Sequence, residues 1–172
     1  MILYPPLVFD ANEWFILIAG SLVMLLTLKL PKRLSRVEFW IIWLMNYLLA
    51  EIADFTIGFP GIDLYDFNDW PQYEYFDWIL YVFLYPPAAY VYLYLYDRWK
   101  PAGWKLAGYI VGWALFTTGL EWLATQFHVF TYKGWKLVYS VPTYIFIYWI
   151  NLCIFRFVRT YQHVPIPEEK DR

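Results

Sequence analysis

Charge is scarce in this chain, and cysteine and histidine are almost absent. Only 16% of its 172 residues are Asp, Glu, Lys or Arg, against roughly 25% in soluble domains. That leaves too little charge to clothe a water-facing surface. The single cysteine, Cys153, excludes an internal disulfide and reads as a small apolar packing residue. Two histidines, His128 and His163, exclude a histidine-rich metal box. No lysine or arginine precedes Lys29, so the N-terminal segment lacks the positive stretch that opens a cleavable secretory signal. The cations form no basic domain, which speaks against a nucleic-acid partner. No internal repeat is convincing, since the Tyr-Pro-Pro at Tyr4 and at Tyr85 sits in unrelated surroundings.

What the chain has is apolar and aromatic mass. It is 61% hydrophobic and 24% aromatic, with 11 Trp and 17 Tyr. Such rings favour the membrane–water interface, where one end is wet and the other dry. Five apolar runs, at 14–30, 37–59, 78–96, 104–127 and 137–158, are long enough to cross about 30 Å of hydrocarbon as helices. The sequence therefore predicts an all-α, polytopic bundle of five transmembrane helices over 1–162, a solvated tail over 163–172, and a multi-pass cell-membrane location with the lipid bilayer as first partner.

Charge asymmetry predicts its orientation. If the five runs alternate, Lys29, Lys32, Arg33, Arg36, Arg98, Lys100, Lys105, Arg156, Arg159, Lys170 and Arg172 share one side. Only Lys133 and Lys136 lie on the other. The positive-inside rule then puts the N-terminus outside and the C-terminus in the cytoplasm. The outer side is acidic: Asp10 and Glu13 near the N-terminus, then Asp63, Asp66, Asp69, Glu74 and Asp77 with no cation among them. The plain reading of these acids is a solvated rim. A calcium loop at Asp63, Asp66, Asn68 and Asp69 lacks the alternating acids and closing glutamate that such a site needs.

Three acids fall inside apolar runs: Glu51 and Asp54 in the second, Glu121 in the fourth. Each costs roughly 2.5–3.5 kcal/mol at mid-bilayer even on lenient scales, so each needs a partner, a proton or a purpose. At 1.5 Å per residue from the inner face, Glu51 stands about 21 Å up, and Asp54 and Glu121 about 25 Å. They share one level, and share one cavity if their helices face each other. Asn46, Tyr47, Glu51 and Asp54 lie on one helical face, with Tyr47 one turn from Glu51 and Asn46 able to bond across to a neighbour. Tyr81 and Tyr85 begin a tyrosine stripe on the third run, next to Pro86 and Pro87, which should leave the carbonyls of Val82 and Phe83 unpartnered. The stripe reads as aromatic packing or as a hydroxyl-lined cavity. The fourth run carries small residues on two faces, Gly108, Gly112 and Gly119 against Ala114, Thr117, Glu121 and Ala124, which places it centrally. Lys133 or Lys136 is an alternative partner for Glu121. His128 is a weak metal candidate, because one histidine alone seldom makes a transition-metal site.

Trp14, the segment Tyr85-Pro86-Pro87, and the series Glu121, Tyr132-Lys133-Gly134-Trp135, Ser140 and Tyr144 carry a resemblance. With them the chain resembles a family of small integral membrane proteins from spore-forming Gram-positive bacteria. The resemblance implies a bacterial cell membrane and implies no reaction, cofactor or site residue. From the residues, three functions compete. The first is a binding or sensing protein, taking a cation, a proton or a small ligand in an outward-facing acidic pocket of Glu51, Asp54, Glu121, Asn46, Tyr81 and Tyr85. The second is a membrane enzyme using carboxylate acid/base chemistry on a lipid or isoprenoid. The third is an accessory subunit or scaffold whose glycine stripe meets a second copy or a partner membrane protein.

Overall fold

The computed structural model describes residues 3–57, 62–69 and 73–162, apart from the side chains of Asp54 and Ile57. The chain is mostly helical. Helix α1 (Ala11–Lys29) begins where Asp10 accepts from the Asn12 N–H at 3.3 Å and the Asp10 N–H donates to Glu13 Oε2 at 2.7 Å. Helix α2 (Arg36–Ile57) starts in the same way. The Ser35 N–H donates to Glu38 Oε2 at 2.7 Å, and the Glu38 N–H donates to Ser35 Oγ at 3.1 Å. Both are reciprocal capping boxes, which satisfy donors that a helix start leaves orphaned.

Helices α3 (Tyr75–Phe83) and α4 (Tyr85–Trp99) form one rod broken at Leu84. Pro86 and Pro87 occupy the first turn of α4, where a missing N–H forfeits no helical bond. Gly20 of α1 comes close at the break: a Cβ there would lie 3.7 Å from the Phe83 carbonyl oxygen. Helices α5 (Trp104–Gln126) and α6 (Leu137–Gln162) complete the bundle. These helices match the five apolar runs within a few residues. Three of the rods, Ala11–Lys29, Tyr75–Trp99 and Leu137–Gln162, are long and apolar enough to cross a membrane. Acids and aromatics in α2, and glycines and aromatics in α5, dilute the aliphatic content.

One end of the bundle carries a small sheet that the sequence reading did not contain. Strand β1 (Tyr65–Phe67) pairs antiparallel with β2 (Phe130–Tyr132), and Tyr65 faces Tyr132. Aromatics at alternate positions of both strands meet edge to face with each other and with Trp135. At this sheet end Ile16, Phe76, Leu80, Tyr81 and Val129 form one core cluster. At the other, basic end Ile42, Tyr92, Leu93, Ala114, Tyr148, Leu152 and Phe155 form a second.

Helix α4 is the hub, packing against α1, α2, α3 and α6. This corrects the placement of the fourth run. Helix α5 lies at the rim, packed mainly on α6, and a Cβ added at its Gly108, Gly112 or Gly119 would meet nothing beyond its own helix within 4 Å. Its other face, with Ala114, Thr118, Glu121 and Ala124, turns inward. The tyrosines of α4 fill the interior volume that a central α5 would need. Polarity is inverted across the bundle. Leu22, Leu28, Leu44, Phe116, Phe146 and Phe157 lie on the exterior, while Asn12, Glu13, Asn46, Glu74 and Asn151 are buried.

Candidate functional site

The residues singled out from the sequence separate into local arrangements. Glu51 accepts from the Tyr73 hydroxyl at 2.6 Å, and Tyr47, one turn below, also faces it. Burial first, then the bond to Glu51, raise the Tyr73 hydroxyl far above its ordinary range, so this donor stays protonated. Glu121 accepts from the Tyr132 hydroxyl and from Ser140 Oγ at 2.8 Å, and Ser140 in turn accepts from Trp135 Nε1 at 2.9 Å. Burial and then Glu121 likewise raise Tyr132.

Among the described residues no hydrogen bond joins Glu51 to Glu121; each is satisfied by its own hydroxyls. Tyr81 and Tyr85 continue from the Tyr73 ring on the Glu51 side. The Tyr81 ring lies 5.8 Å from Tyr73 and stacks at 5.9 Å on Tyr85. Neither lysine pairs with Glu121. Lys133 Nζ instead bridges Asp63 and Asp66 at 2.9 Å each, which raises its own pKa. The Asp54 side chain lies outside the described residues.

Asn46 is a cross-link. It exchanges hydrogen bonds with Asn151 at 2.8 and 3.0 Å, tying α2 to α6, and both amides also donate back along their own helices. His128 is exposed, with φ 58°. The Val129 N–H reaches the Ala124 carbonyl and the His128 N–H that of Thr125, so His128 fills the left-handed position that ends α5. Among the described residues no three His, Cys, Asp or Glu side chains are arranged to hold a metal ion.

The strongest polar anomaly lies where the sequence reading saw a solvated rim. Glu13, Glu74 and Asp77 are 0%, 0% and 3% exposed. Their burial follows from the helix starts. Glu74 precedes α3, and its N–H donates to Asp77 Oδ2 at 2.8 Å, as Asp10 does to Glu13 on α1. Asn68, held at φ 46°, donates to Asp77 Oδ1 at 2.6 Å. Asp69 accepts from the Leu7 and Val8 N–H groups at 3.1 and 3.3 Å and from Asn12 Nδ2 at 3.3 Å. The N-terminal segment is thereby latched over α3, and Tyr4 pairs with the backbone around Glu74.

No cation answers these acids among the described residues. Glu13 Oε1, Asn68 Oδ1 and both Glu74 oxygens are buried without a hydrogen-bond partner. The Asp77 N–H at the start of α3 and the Asp69 N–H face the Glu74 carboxylate. Burial first, then the charges of Asp77, Asp69 and Glu13, push the Glu74 carboxyl up to about 7. Chemically, the cluster can hold a proton near neutral pH.

The signal that could have located it was in the sequence. Asp10 to Glu13 and Glu74 to Asp77 both have the spacing of an N-cap and its third helical residue. An acid at that third position turns back on the helix start and is covered by whatever packs there. Comparison with protein-family models, with curated proteins and with solved structures finds no match.

Proposed function

We propose that this chain is a multi-pass membrane protein of five spans, N-terminus outside, that binds a proton in a buried outer carboxylate cluster of Glu13, Glu74 and Asp77. Its role in this reading is sensing. Protonation of Glu74 stabilises the latched N-terminal segment and the sheet end, and ionisation loosens them. The observation that carries it is Glu74, wholly buried, with both oxygens unpartnered and three further acids around it. Two like charges this close in a dry site cannot cheaply both persist. The apolar exterior and the gathering of cations at the opposite end support the membrane topology. Glu51 and Glu121, clothed in hydroxyls, serve in this reading to hold the sheet end on the bundle.

Infrared spectroscopy of the protein in lipid nanodiscs tests it. A protonated-carboxyl stretch present at pH 5 should weaken between about pH 6 and 8, and that loss should be clearly smaller in Glu74→Gln, where Asp77 remains. A difference spectrum identical in Glu74→Gln and the native protein would sink the proposal.

A second reading has an observation of its own. The Gly108, Gly112 and Gly119 face of α5 is unpacked within the chain and suits a close helix from a second copy or another membrane protein. Gly112→Ile should lower the oligomer fraction in a mild detergent if that reading holds, and leave it unchanged otherwise.

A further inference from the structure

The basic end holds a different kind of cavity. A pocket of about 580 Å³ opens between the α1–α2 connection, the end of α4 and the end of α6, within the size range of small-ligand sites. Four cations line it, Lys32, Arg33, Lys100 and Arg159, against two acids, Glu38 and Asp97. The acids are already committed. Arg159 Nε donates to Glu38 Oε1 at 2.7 Å, its Nη1 donates to Asp97, and Arg33 Nε donates to Asp97 Oδ2 at 3.0 Å. Lys32 and Lys100 have no ion-pair partner among the described residues.

Lys100 is held at the rim by backbone geometry. It caps α4 in the left-handed conformation, φ 47°, with its N–H on the Tyr96 carbonyl at 2.8 Å. The pocket thus presents two uncompensated ammonium groups on a frame fixed by two arginines. Its surroundings indicate the level at which it sits. Trp40, Trp99 and Trp104 near this end are 66%, 60% and 80% exposed, as rings at a headgroup interface are.

We infer that this pocket binds the phosphate of an anionic lipid headgroup in the leaflet at the basic end. The inference uses the membrane reading but not the acid cluster, so either can fail alone. Two ammonium donors at a cavity mouth match the charge and acceptors of a phosphodiester, and juxtamembrane lysines gain from anionic lipid surfaces. Glu38 and Asp97 keep the arginines from collapsing onto the lipid, so the lysines make the contact.

The test is lipid retention by native mass spectrometry of the full chain in a neutral detergent. It is titrated with short-chain phosphatidylglycerol, with phosphatidylcholine of equal chain length, and with inorganic phosphate. Phosphatidylglycerol should be retained at least about tenfold better than phosphatidylcholine, the scale of favourable contacts at two lysines. Lys32→Gln/Lys100→Asn should remove that preference, and Arg98→Gln/Lys105→Gln, with the same charge change, should keep it. Both lysine side chains are exposed and make no ion pair among the described residues, and Asn tolerates the left-handed conformation, so an unchanged thermal midpoint is expected in the pocket variant. Equal retention of the two lipids, equal loss in both double variants, or displacement by inorganic phosphate alone would each overturn the assignment. The last outcome would point to a soluble anion.

Discussion

The two ends of the bundle solve the same local problem with opposite results. At each, a helix begins with an acid at its third residue turned back onto the N-cap backbone: Glu38 on α2 at the basic end, Glu13 on α1 and Asp77 on α3 at the sheet end. All three are buried. Arg159 closes over Glu38 and Asp97, and Arg33 adds to Asp97, so both acids at that end are neutralised within the fold. The sheet end brings Glu13, Asp69, Glu74 and Asp77 together and supplies only amides and backbone donors. A buried acid is thus a structural element or a titrating one according to whether a guanidinium reaches it.

The largest effect should come from breaking the paired end. Arg159→Ala leaves Glu38 and Asp97 buried with one neutralising group gone, and should cost about 3 kcal/mol or more in reversible unfolding. A cost under about 1 kcal/mol would mean that water already reaches those acids.

Next is the pH dependence of the unpaired end. The folded Glu74 carboxyl is raised to about 7 from an ordinary value near 4.5. The folded state therefore binds more protons than the unfolded one between those values. Glu74's contribution is fully present below about pH 4.5, is lost as pH rises through about 7, and changes little above that. The total swing is about 3 kcal/mol. Glu74→Gln should flatten that slope, and the protection of the Leu7 and Val8 amides, measured against their intrinsic base-catalysed exchange, should fall as pH rises through about 7 in the native protein and not in the variant.

A mid-bundle control calibrates both. Asn46→Ala strands the Asn151 amide and should cost about 1–2 kcal/mol, whereas Asn46→Leu/Asn151→Leu should recover most of it. The smallest effect belongs to Lys133→Ala. Its ion pairs with Asp63 and Asp66 are exposed and salt-screened, so the unfolding midpoint should scarcely move. A clear drop there would make Lys133 the missing cation of the sheet end.

Much of the fold was legible beforehand. Apolar runs of membrane-crossing length marked five rods, because a rod that length must satisfy its own backbone wherever hydrocarbon or packing excludes water. The Tyr47 contact to Glu51 and the bonding of Asn46 to a neighbouring helix followed from helical spacing. The sheet was not legible, since three-residue strands leave almost no periodic signal and are held by edge-to-face ring contacts between segments far apart in sequence. The rim position of α5 was hidden for a related reason. Small residues on two faces permit packing on both, but the volume of the α4 tyrosines decided which face was used.

By itself the sequence determined helix number, length and the segregation of cations to one end. Those depend on hydropathy and charge summed along the chain, and such sums need no partner. Tertiary structure alone decided which acids are buried and which are answered. Glu51 and Glu121, the conspicuous acids of the apolar runs, found hydroxyls. Glu74, unremarkable in an acidic loop, became the buried acid that no cation answers among the described residues. Desolvation and pairing are set by what folds over a side chain, and at Glu74 that cover comes from α1, the N-terminal segment and the Asn68–Asp69 turn.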